Sequence, residues 1–176
     1  MLNMSRANIK FEELFTEKIE RKIKRIDKEG FYGTPLRFQI NRNLKKWISR
    51  YCPENNAEIL EVGCGEGTTV KIFQEIGIKG KYLGIDIKGS PNWANINNTG
   101  QLKVGFMLQD AHSLSLIKNR YNFCISITAF EHFSDDSKVL NELSKVLLND
   151  AVAILIIPSK YSYWLYGKHG YRRYSK

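Results

Sequence analysis

The sequence predicts an α/β fold with an open, mostly parallel sheet, helices on both faces and a helical N-terminal extension. Strand-like and helix-like segments alternate from residue 57 onward with short connections, as in βαβ units. The last strand-like segment is apolar at both odd and even positions, which is typical of a strand covered on both faces. The chain has 176 residues and is 43% hydrophobic, which is enough for one sizeable core but not for two full domains.

The strands and helices of the sheet domain follow from residue periodicity. Five segments are predicted to form parallel strands: 58–62, 81–87, 104–109, 121–128 and 151–157. Helices are predicted over 68–76 and 135–148, where apolar residues recur at helical spacing, and both should pack on the sheet. Thr68 and Thr69 are candidate caps of the first of these helices. The connection 88–103 contains a proline, two glycines and several asparagines, so we expect a loop with at most a short helix.

Two amphipathic helices are predicted ahead of the sheet, over 9–26 and from about residue 37 to residue 51. We therefore divide the chain into a basic helical extension or cap, 1–56, and a sheet domain, 57–176. The first helix either covers the core or the active site, or binds a partner or a membrane surface. We favour the cap.

The formal net charge of +9 is unevenly distributed. Residues 1–50 hold 13 Lys and Arg against 6 acids, residues 158–176 hold 5 against none, and residues 51–157 hold 9 against 12. A basic periphery around a mildly acidic body attracts anionic partners such as phosphates, nucleic acid or an anionic membrane surface. A plain solvated surface is an equally good interpretation.

Apolar runs and cysteines exclude several protein classes. No apolar run approaches the roughly 18 to 20 residues that span a bilayer, and the first residues carry no signal-peptide core, so a cytoplasmic location is expected. The three cysteines, Cys52, Cys64 and Cys124, are odd in number and dispersed. This pattern predicts neither a disulfide framework nor a zinc site, and no metal is expected.

A glycine-rich segment, 61–67 with the sequence EVGCGEG, lies between the first strand and the first sheet-domain helix. Such a turn lets the backbone pass close to a ligand, and the N–H groups at the helix start favour a carboxylate or a phosphate. Its GxGxG spacing differs from the GxGxxG of dinucleotide-binding enzymes, which makes NAD the weaker interpretation.

Two acids stand at the ends of the next two predicted strands. Asp86 follows Gly63 by 23 residues and can accept both hydroxyls of a ribose, while Asp110 lies at the same carboxyl edge. Each feature alone has a structural explanation: turn chemistry for the glycines, a loop cap for Asp86, and a cap of a helix beginning near His112 for Asp110. Their recurrence at three successive strand ends favours a site for an adenosine-type ligand.

Over about residues 57–158 the sequence resembles the class I S-adenosylmethionine-dependent methyltransferases, in particular the small-molecule group called type 11. The resemblance is carried by 61–67, the first motif; by 84–87 (GIDI), the second-strand acid; by 109–111 (QDA), the adenine contact; and by 130–133 (FEHF) after the fourth strand. It implies a Rossmann-like fold, S-adenosylmethionine as cofactor and in-line transfer of a methyl group. The implied cofactor contacts are Glu61, Gly63, Cys64, Gly65, Gly67, Asp86, Ile87, Asp110 and Ala111. Among these, the 63–67 backbone would hold the methionine moiety, Asp86 the ribose hydroxyls and Asp110 the adenine amine.

Methyl transfer from a sulfonium mainly needs alignment of the reactants and exclusion of water. A hydroxyl nucleophile also benefits from a base, and His132 is the best-placed candidate, with a structural role as the alternative. Six C-terminal aromatic residues either line an acceptor pocket or pack over the sheet edge: Tyr161, Tyr163, Trp164, Tyr166, Tyr171 and Tyr174. Family members usually continue with a helix and two more strands, for which the 19 residues after Ile157 are too few. The chain is therefore expected to be C-terminally shortened, either as a fragment or as a fold without those strands.

The acceptor is predicted by exclusion. The (D/N)PP(Y/F) signature of amino-group methylation in nucleic acid is absent, and no Pro-Cys pair supplies a cytosine-attacking thiol, so DNA is disfavoured. We expect a small-molecule acceptor, such as an anionic sugar or lipid intermediate. The alternatives are an RNA methyltransferase and a shortened, non-catalytic scaffold that retains nucleoside binding.

Overall fold

The computed structural model describes residues 35–98, 100–114, 116 and 120–157. The predicted helix over 9–26, most of the two basic flanks and the aromatic residues after 157 lie outside the described residues. The chain divides after Trp47 into two units. Helix α1 (Pro35–Tyr51) crosses this point, which confirms the second predicted helix, and the second unit contains the sheet.

Five parallel strands form one sheet in the order β3-β2-β1-β4-β5. They are β1 (Ala57–Val62), β2 (Gly80–Asp86), β3 (Leu102–Leu108), β4 (Tyr121–Ile127) and β5 (Leu147–Ile156). This confirms the predicted parallel sheet and the place of every predicted strand. Because β1 has β2 on one side and β4 on the other, the strand order reverses next to β1. Open α/β sheets bind ligands at the carboxyl edge beside such a reversal.

The two sheet-domain helices cover opposite faces of the sheet. On one face, the ring of Phe73 in α2 (Val70–Ile76) lies 5.8 Å from the ring of Tyr82 and 6.1 Å from that of Phe123. On the other face, α3 (Asp136–Val146) buries Val139 in a cluster that includes Leu60. Alternate residues of a strand point to opposite faces, and buried apolar side chains on both explain the strongly hydrophobic strands.

The ends of these helices have different chemistry. Asp135 caps α3 by accepting a hydrogen bond from the Lys138 N–H, 2.9 Å away. Helix α2 ends at Gly77, whose φ of 85° gives the left-handed C-cap that favours glycine. The predicted side-chain cap by Thr69 is wrong: the Thr69 hydroxyl instead donates to the Glu61 carboxylate at 2.9 Å.

Helix α3 and strand β5 join without a loop. The helix ends at Val146, and Leu147 has extended angles, φ −81° and ψ 147°, and pairs with Tyr121 as the first residue of β5. The predicted helix through residue 148 is therefore too long. Leu147 and Leu148 continue the apolar pattern of the helix, so periodicity could not mark its end.

The two remaining crossovers contain little regular structure. The described residues between β2 and β3 contain one short 3-10 helix, Pro91–Asn95, and are otherwise a loop, as predicted. The described residues between β3 and β4 contain no helix, so Asp110 does not cap one; it accepts a hydrogen bond from the His112 N–H in a tight turn.

Candidate functional site

The glycine-rich segment forms a tight turn directly after β1. Gly65, at its exposed tip, has a φ of 51°, and a Cβ built on it would meet no atom of the described residues within 4 Å. Its peptide groups are held from both sides: the Gly65 N–H donates to Asp86 Oδ2 at 2.8 Å, and its carbonyl accepts from Trp93 Nε1 at 2.8 Å. The turn is thus fixed while the space beside Gly65 stays open.

Asp86 is the last residue of β2 and joins the glycine turn to the following loop. Its Oδ2 accepts from Gly65, and its Oδ1 accepts from the Lys88 N–H at 3.0 Å. Each carboxylate oxygen can accept two hydrogen bonds, so one acceptor position on each oxygen is left for a ligand hydroxyl. The loop-capping role is therefore real and is compatible with a ribose contact.

Asp110 follows β3 and is fixed by His112. Both bonds reach Asp110 Oδ1, from the His112 N–H at 2.9 Å and from His112 Nδ1 at 2.8 Å. They hold the pKa of the Asp110 carboxyl below its ordinary value, the backbone bond more than the ring bond. In the described part of the chain, hydrogen bonds to this carboxylate reach Oδ1 alone, which leaves Oδ2 able to accept from an amine.

The other ring nitrogen of His112 reaches the start of α3. His112 Nε2 lies 3.2 Å from the Asp135 N–H and 3.2 Å from Ser134 Oγ. Because a backbone N–H can only donate, Nε2 must accept, and this assigns the hydrogen to Nδ1 of a neutral imidazole. His112 thereby connects the third strand end to the segment that follows the fourth.

Exposed apolar side chains adjoin the two carboxylates. Ile87 is 74% exposed and Leu108 is 63% exposed, and Leu108 is the register partner of Asp86. Ile87 and Ala111 were both predicted cofactor contacts, and Ala111 is buried. Exposed apolar side chains next to hydrogen-bond acceptors are suited to a purine ring with its ribose.

Glu61 and Cys64 lie beneath the turn. The Glu61 carboxylate is only 2% exposed and accepts hydrogen bonds from the hydroxyls of Thr69 and Tyr82. Burial, followed by the charge of Glu61, raises the pKa of Tyr82 well above its ordinary value. Glu61 thus braces the turn against α2 and β2, and its contact with a cofactor stays a prediction.

The segment after β4 holds His132 and a strained residue. His132 is exposed and ends a 3-10 helix, Phe130–His132, whose first two residues are buried. Thr128, just before it, has a φ of 51°, which is unfavourable for a β-branched residue, and its N–H donates to the Ile156 carbonyl at 2.7 Å. Such strain is concentrated at functional sites, so this strand end is a candidate part of the acceptor side.

Sequence reasoning did not find the contacts that three residues make at this edge: Trp93, His112 and Thr128. The Trp93 ring stacks on Phe106 with centroids 5.1 Å apart and planes inclined by 10°, which fixes the donor to Gly65. No periodic signal marks a tryptophan in an asparagine-rich loop. His112 was detectable, because an Asp followed two residues later by its hydrogen-bond partner is the spacing of an Asx turn.

The edge as a whole fits S-adenosylmethionine. The glycine turn offers open space for an extended chain, Asp86 retains acceptors for two hydroxyls, and Asp110 retains one for an amine. No group of three or more His, Cys, Asp or Glu among the described residues could hold a metal ion. No helix in the described ranges is long and apolar enough to cross a bilayer.

Solved structures with the same fold share low sequence identity with this chain. A methyltransferase from Aquifex aeolicus, described as SAM-dependent, is 23% identical with a TM-score of 0.57, covering 68% of this chain and 64% of its own. One from Methanosarcina mazei is 22% identical with a TM-score of 0.56, covering 66% and 58%. The [4+2]-cyclase SpnF is 18% identical with a TM-score of 0.54, covering 65% and 43%. The chain therefore spans less than two thirds of each of these proteins.

These structures establish the fold alone, and the cyclase shows that the fold serves more than one reaction. No curated protein matches the chain. The family is shown by a sequence model described as "Methyltransferase domain", which matches residues 60–155, more than half of the chain. The matched range contains the glycine turn, both carboxylates and the segment after β4. The chain belongs to the class I methyltransferase family, whose cofactor is S-adenosylmethionine.

Proposed function

We propose that the protein transfers a methyl group from S-adenosylmethionine to a small-molecule acceptor such as a sugar, a lipid intermediate or another metabolite. The observation that carries the proposal is the joint geometry of Gly65 and Asp86. Gly65 leaves open space at the turn. Asp86 fixes that turn and keeps acceptor positions for the hydroxyls of a ribose. When bound, the cofactor supplies an electrophilic methyl group on a sulfonium.

The chain's own groups would bind and orient the reactants. The turn 63–67 positions the methionine moiety, Asp86 the ribose and Asp110 the adenine amine, with Ile87 against the base. Correct placement of methyl carbon and nucleophile contributes more to such a transfer than any single catalytic group. His132 is the candidate proton acceptor for a hydroxyl nucleophile, because it is exposed at the same edge.

The thiols support the choice of acceptor class. Covalent attack on a pyrimidine requires a reactive thiolate. All three cysteines of the sequence are buried, and burial raises the pKa of Cys52 and of Cys124 to about 12. The pKa of Cys64 is raised by burial and then by the charges of Glu61 and Asp86. A mechanism through an enzyme thiolate is therefore disfavoured.

Calorimetry of the full chain with S-adenosylmethionine and S-adenosylhomocysteine tests the first half of the proposal. We expect both to bind, and Asp86→Ala to lose most of the affinity. Asp150→Ala is the matched control, because Asp150 is an exposed acid in β5. Equal affinity in all three proteins would reject the proposed site.

Transfer of labelled methyl groups in fractionated cell extract tests the second half. Label in the low-mass fraction supports a small-molecule acceptor, whereas label in RNA supports the alternative that the basic flanks favour. Cofactor binding with no labelled product would support the non-catalytic scaffold. In an active enzyme, His132→Ala should lower the rate and leave cofactor affinity unchanged.

A further inference from the structure

A second cleft lies at the opposite end of the sheet, where the strands begin. It has a volume of about 400 Å³, within the size range of small-molecule pockets. Its lining includes the second residue of each of β1, β2 and β3, with Glu58 beside Lys81 and Lys81 beside Lys103 in the sheet register. Leu108 at the carboxyl edge lies five positions after Lys103, a distance of about 16 Å along a strand. The cleft is therefore distinct from the proposed cofactor site.

The charged groups of this cleft are three cations and one carboxylate. Glu58 binds two of the cations: Oε1 lies 2.8 Å from Lys81 Nζ, and Oε2 lies 3.2 Å from Arg120 Nε. The third cation, Lys103, has no ion pair with any described residue. Glu58 thus holds Lys81 and Arg120 in place beside Lys103. The four groups together carry a net positive charge, which can attract an anion into the cleft.

The floor of the cleft is apolar and contains a glycine in the middle of β3. Leu83 and Tyr121 line the cleft together with Gly105. A Cβ on Gly105 would meet Leu83 Cδ1 and the Tyr82 carbonyl oxygen at 3.9 Å, which is ordinary contact, and its φ is not positive. Neither the packing of the described residues nor the backbone conformation therefore requires glycine there. Glycine inside a strand weakens it and often marks the close approach of a ligand.

We propose that this cleft binds an organic phosphate: an anionic phosphate monoester held by Lys81, Lys103 and Arg120, with a ring or short apolar body over Gly105. Three cations and the Glu58 carboxylate give the cleft a formal charge of +2, which matches a phosphate monoester dianion. The floor without a side chain leaves space for the body. The proposal does not depend on the nature of the methyl acceptor or on cofactor binding.

The experiment uses phenyl phosphate as the probe and the full chain, with affinity measured by calorimetry at low salt. We expect phenyl phosphate to bind more tightly than inorganic phosphate and much more tightly than phenol. Gly105→Leu, which fills the floor, should weaken binding about tenfold or more. Lys103→Gln should weaken it about threefold to fivefold, the size expected for one exposed charge. Lys71→Gln, an exposed lysine on α2, is the control and should leave affinity unchanged.

Saturating S-adenosylhomocysteine distinguishes this cleft from the cofactor site and should not displace the probe. Displacement would place the phosphate at the carboxyl edge and overturn the proposal. Wild-type affinity in a folded Gly105→Leu protein would also overturn it, with folding checked by circular dichroism. If Gly105→Leu does not fold, Lys103→Gln decides, since equal losses in Lys103→Gln and Lys71→Gln would show only general charge attraction.

Discussion

The Asp86 carboxylate fixes the Gly65 peptide, and we propose that its remaining acceptor positions bind a ribose, which gives it two tasks. We expect Asp86→Ala to weaken S-adenosylhomocysteine by about 10-fold to 100-fold, since a charge-assisted hydrogen bond contributes roughly 1.5–3 kcal/mol. Asp86→Asn should lose less, because its amide oxygen can still accept one bond. Calorimetry of the three proteins measures these losses.

A ligand without ribose hydroxyls separates the two tasks of Asp86. Removing the hydroxyls should cost the wild-type protein much more affinity than it costs Asp86→Ala, as in a double-mutant cycle. Strictly additive losses would mean that Asp86 acts only on the turn, and the ribose contact would then be wrong.

Asp110 should titrate at a lower pH than an ordinary aspartate. Its pKa lies below 3.8 because of the His112 backbone bond and then the His112 ring bond. His112→Ala removes the ring but keeps the backbone N–H, so the pKa of Asp110 should rise only part of the way back. Carboxyl NMR titration of both proteins measures this. An Asp110 pKa at or above 3.8 in the wild-type protein would contradict the hydrogen bonds described.

The lowered pKa of Asp110 also predicts how the stability of the protein changes with pH. A carboxyl whose pKa is lower in the folded state contributes stability above its unfolded pKa and loses it as the pH falls through the folded pKa. The difference in unfolding free energy between wild type and Asp110→Asn should therefore include a part that is constant above about pH 5. That part should disappear as the pH falls below 3.8.

Within the glycine turn, two positions should respond differently to the same substitution. A Cβ on Gly63, at φ 72°, would collide with Ala129 Cβ, whereas one on Gly65 would meet no atom within 4 Å in the described part of the chain. Both alanine variants carry about 1–2 kcal/mol of left-handed strain. Gly63→Ala should additionally lower the melting temperature through the collision, while Gly65→Ala should stay folded and lose cofactor affinity. Thermal unfolding with calorimetry tests the pair, and equal melting temperatures would contradict the packing of Gly63 against Ala129.

The strands and loops that the sequence predicts well are those marked by neighbouring residues in the chain. Strands were recognised from buried apolar runs, and the loop over 88–103 from its proline and asparagines. The end of α3 at Val146 was not predictable, because pairing of Leu147 with Tyr121 overrides a helical pattern that continues through Leu148. The Thr69 bond to Glu61 joins a helix start to a buried strand residue and likewise has no local signature.

The candidate site was predictable to the same extent. The glycine turn, Asp86 and Asp110 were found because each stands at a predicted strand end, and parallel strands bring those ends together. The bond from Trp93 to Gly65 spans 28 residues, and the one from Asp135 to His112 spans 23, so neither could be inferred without the tertiary structure. Their roles depend on geometry rather than on spacing.

At the scale of the whole molecule, the charge distribution predicts salt sensitivity. The flanks, residues 1–50 and 158–176, carry a formal charge of +12, and the body carries −3. Binding to anionic vesicles should weaken steeply between low and physiological salt, because exposed charges are screened beyond about 8 Å at 0.15 M. A sedimentation assay with neutral vesicles as control measures this. Flat behaviour would leave the flanks as ordinary solvated surface.

The strand order also determines when, during synthesis, the central strand β1 can pair with both of its neighbours, β2 and β4. Glu58 and Lys81, which join β1 to β2, are 23 residues apart, whereas Glu58 and Asn122, which join β1 to β4, are 64 apart. After Lys81 is made, translation of the 41 residues up to Asn122 takes about 2–8 s at about 5–20 residues per second. During that interval β1 in the nascent chain has one unpaired edge, open to contact with chaperones or with neighbouring chains.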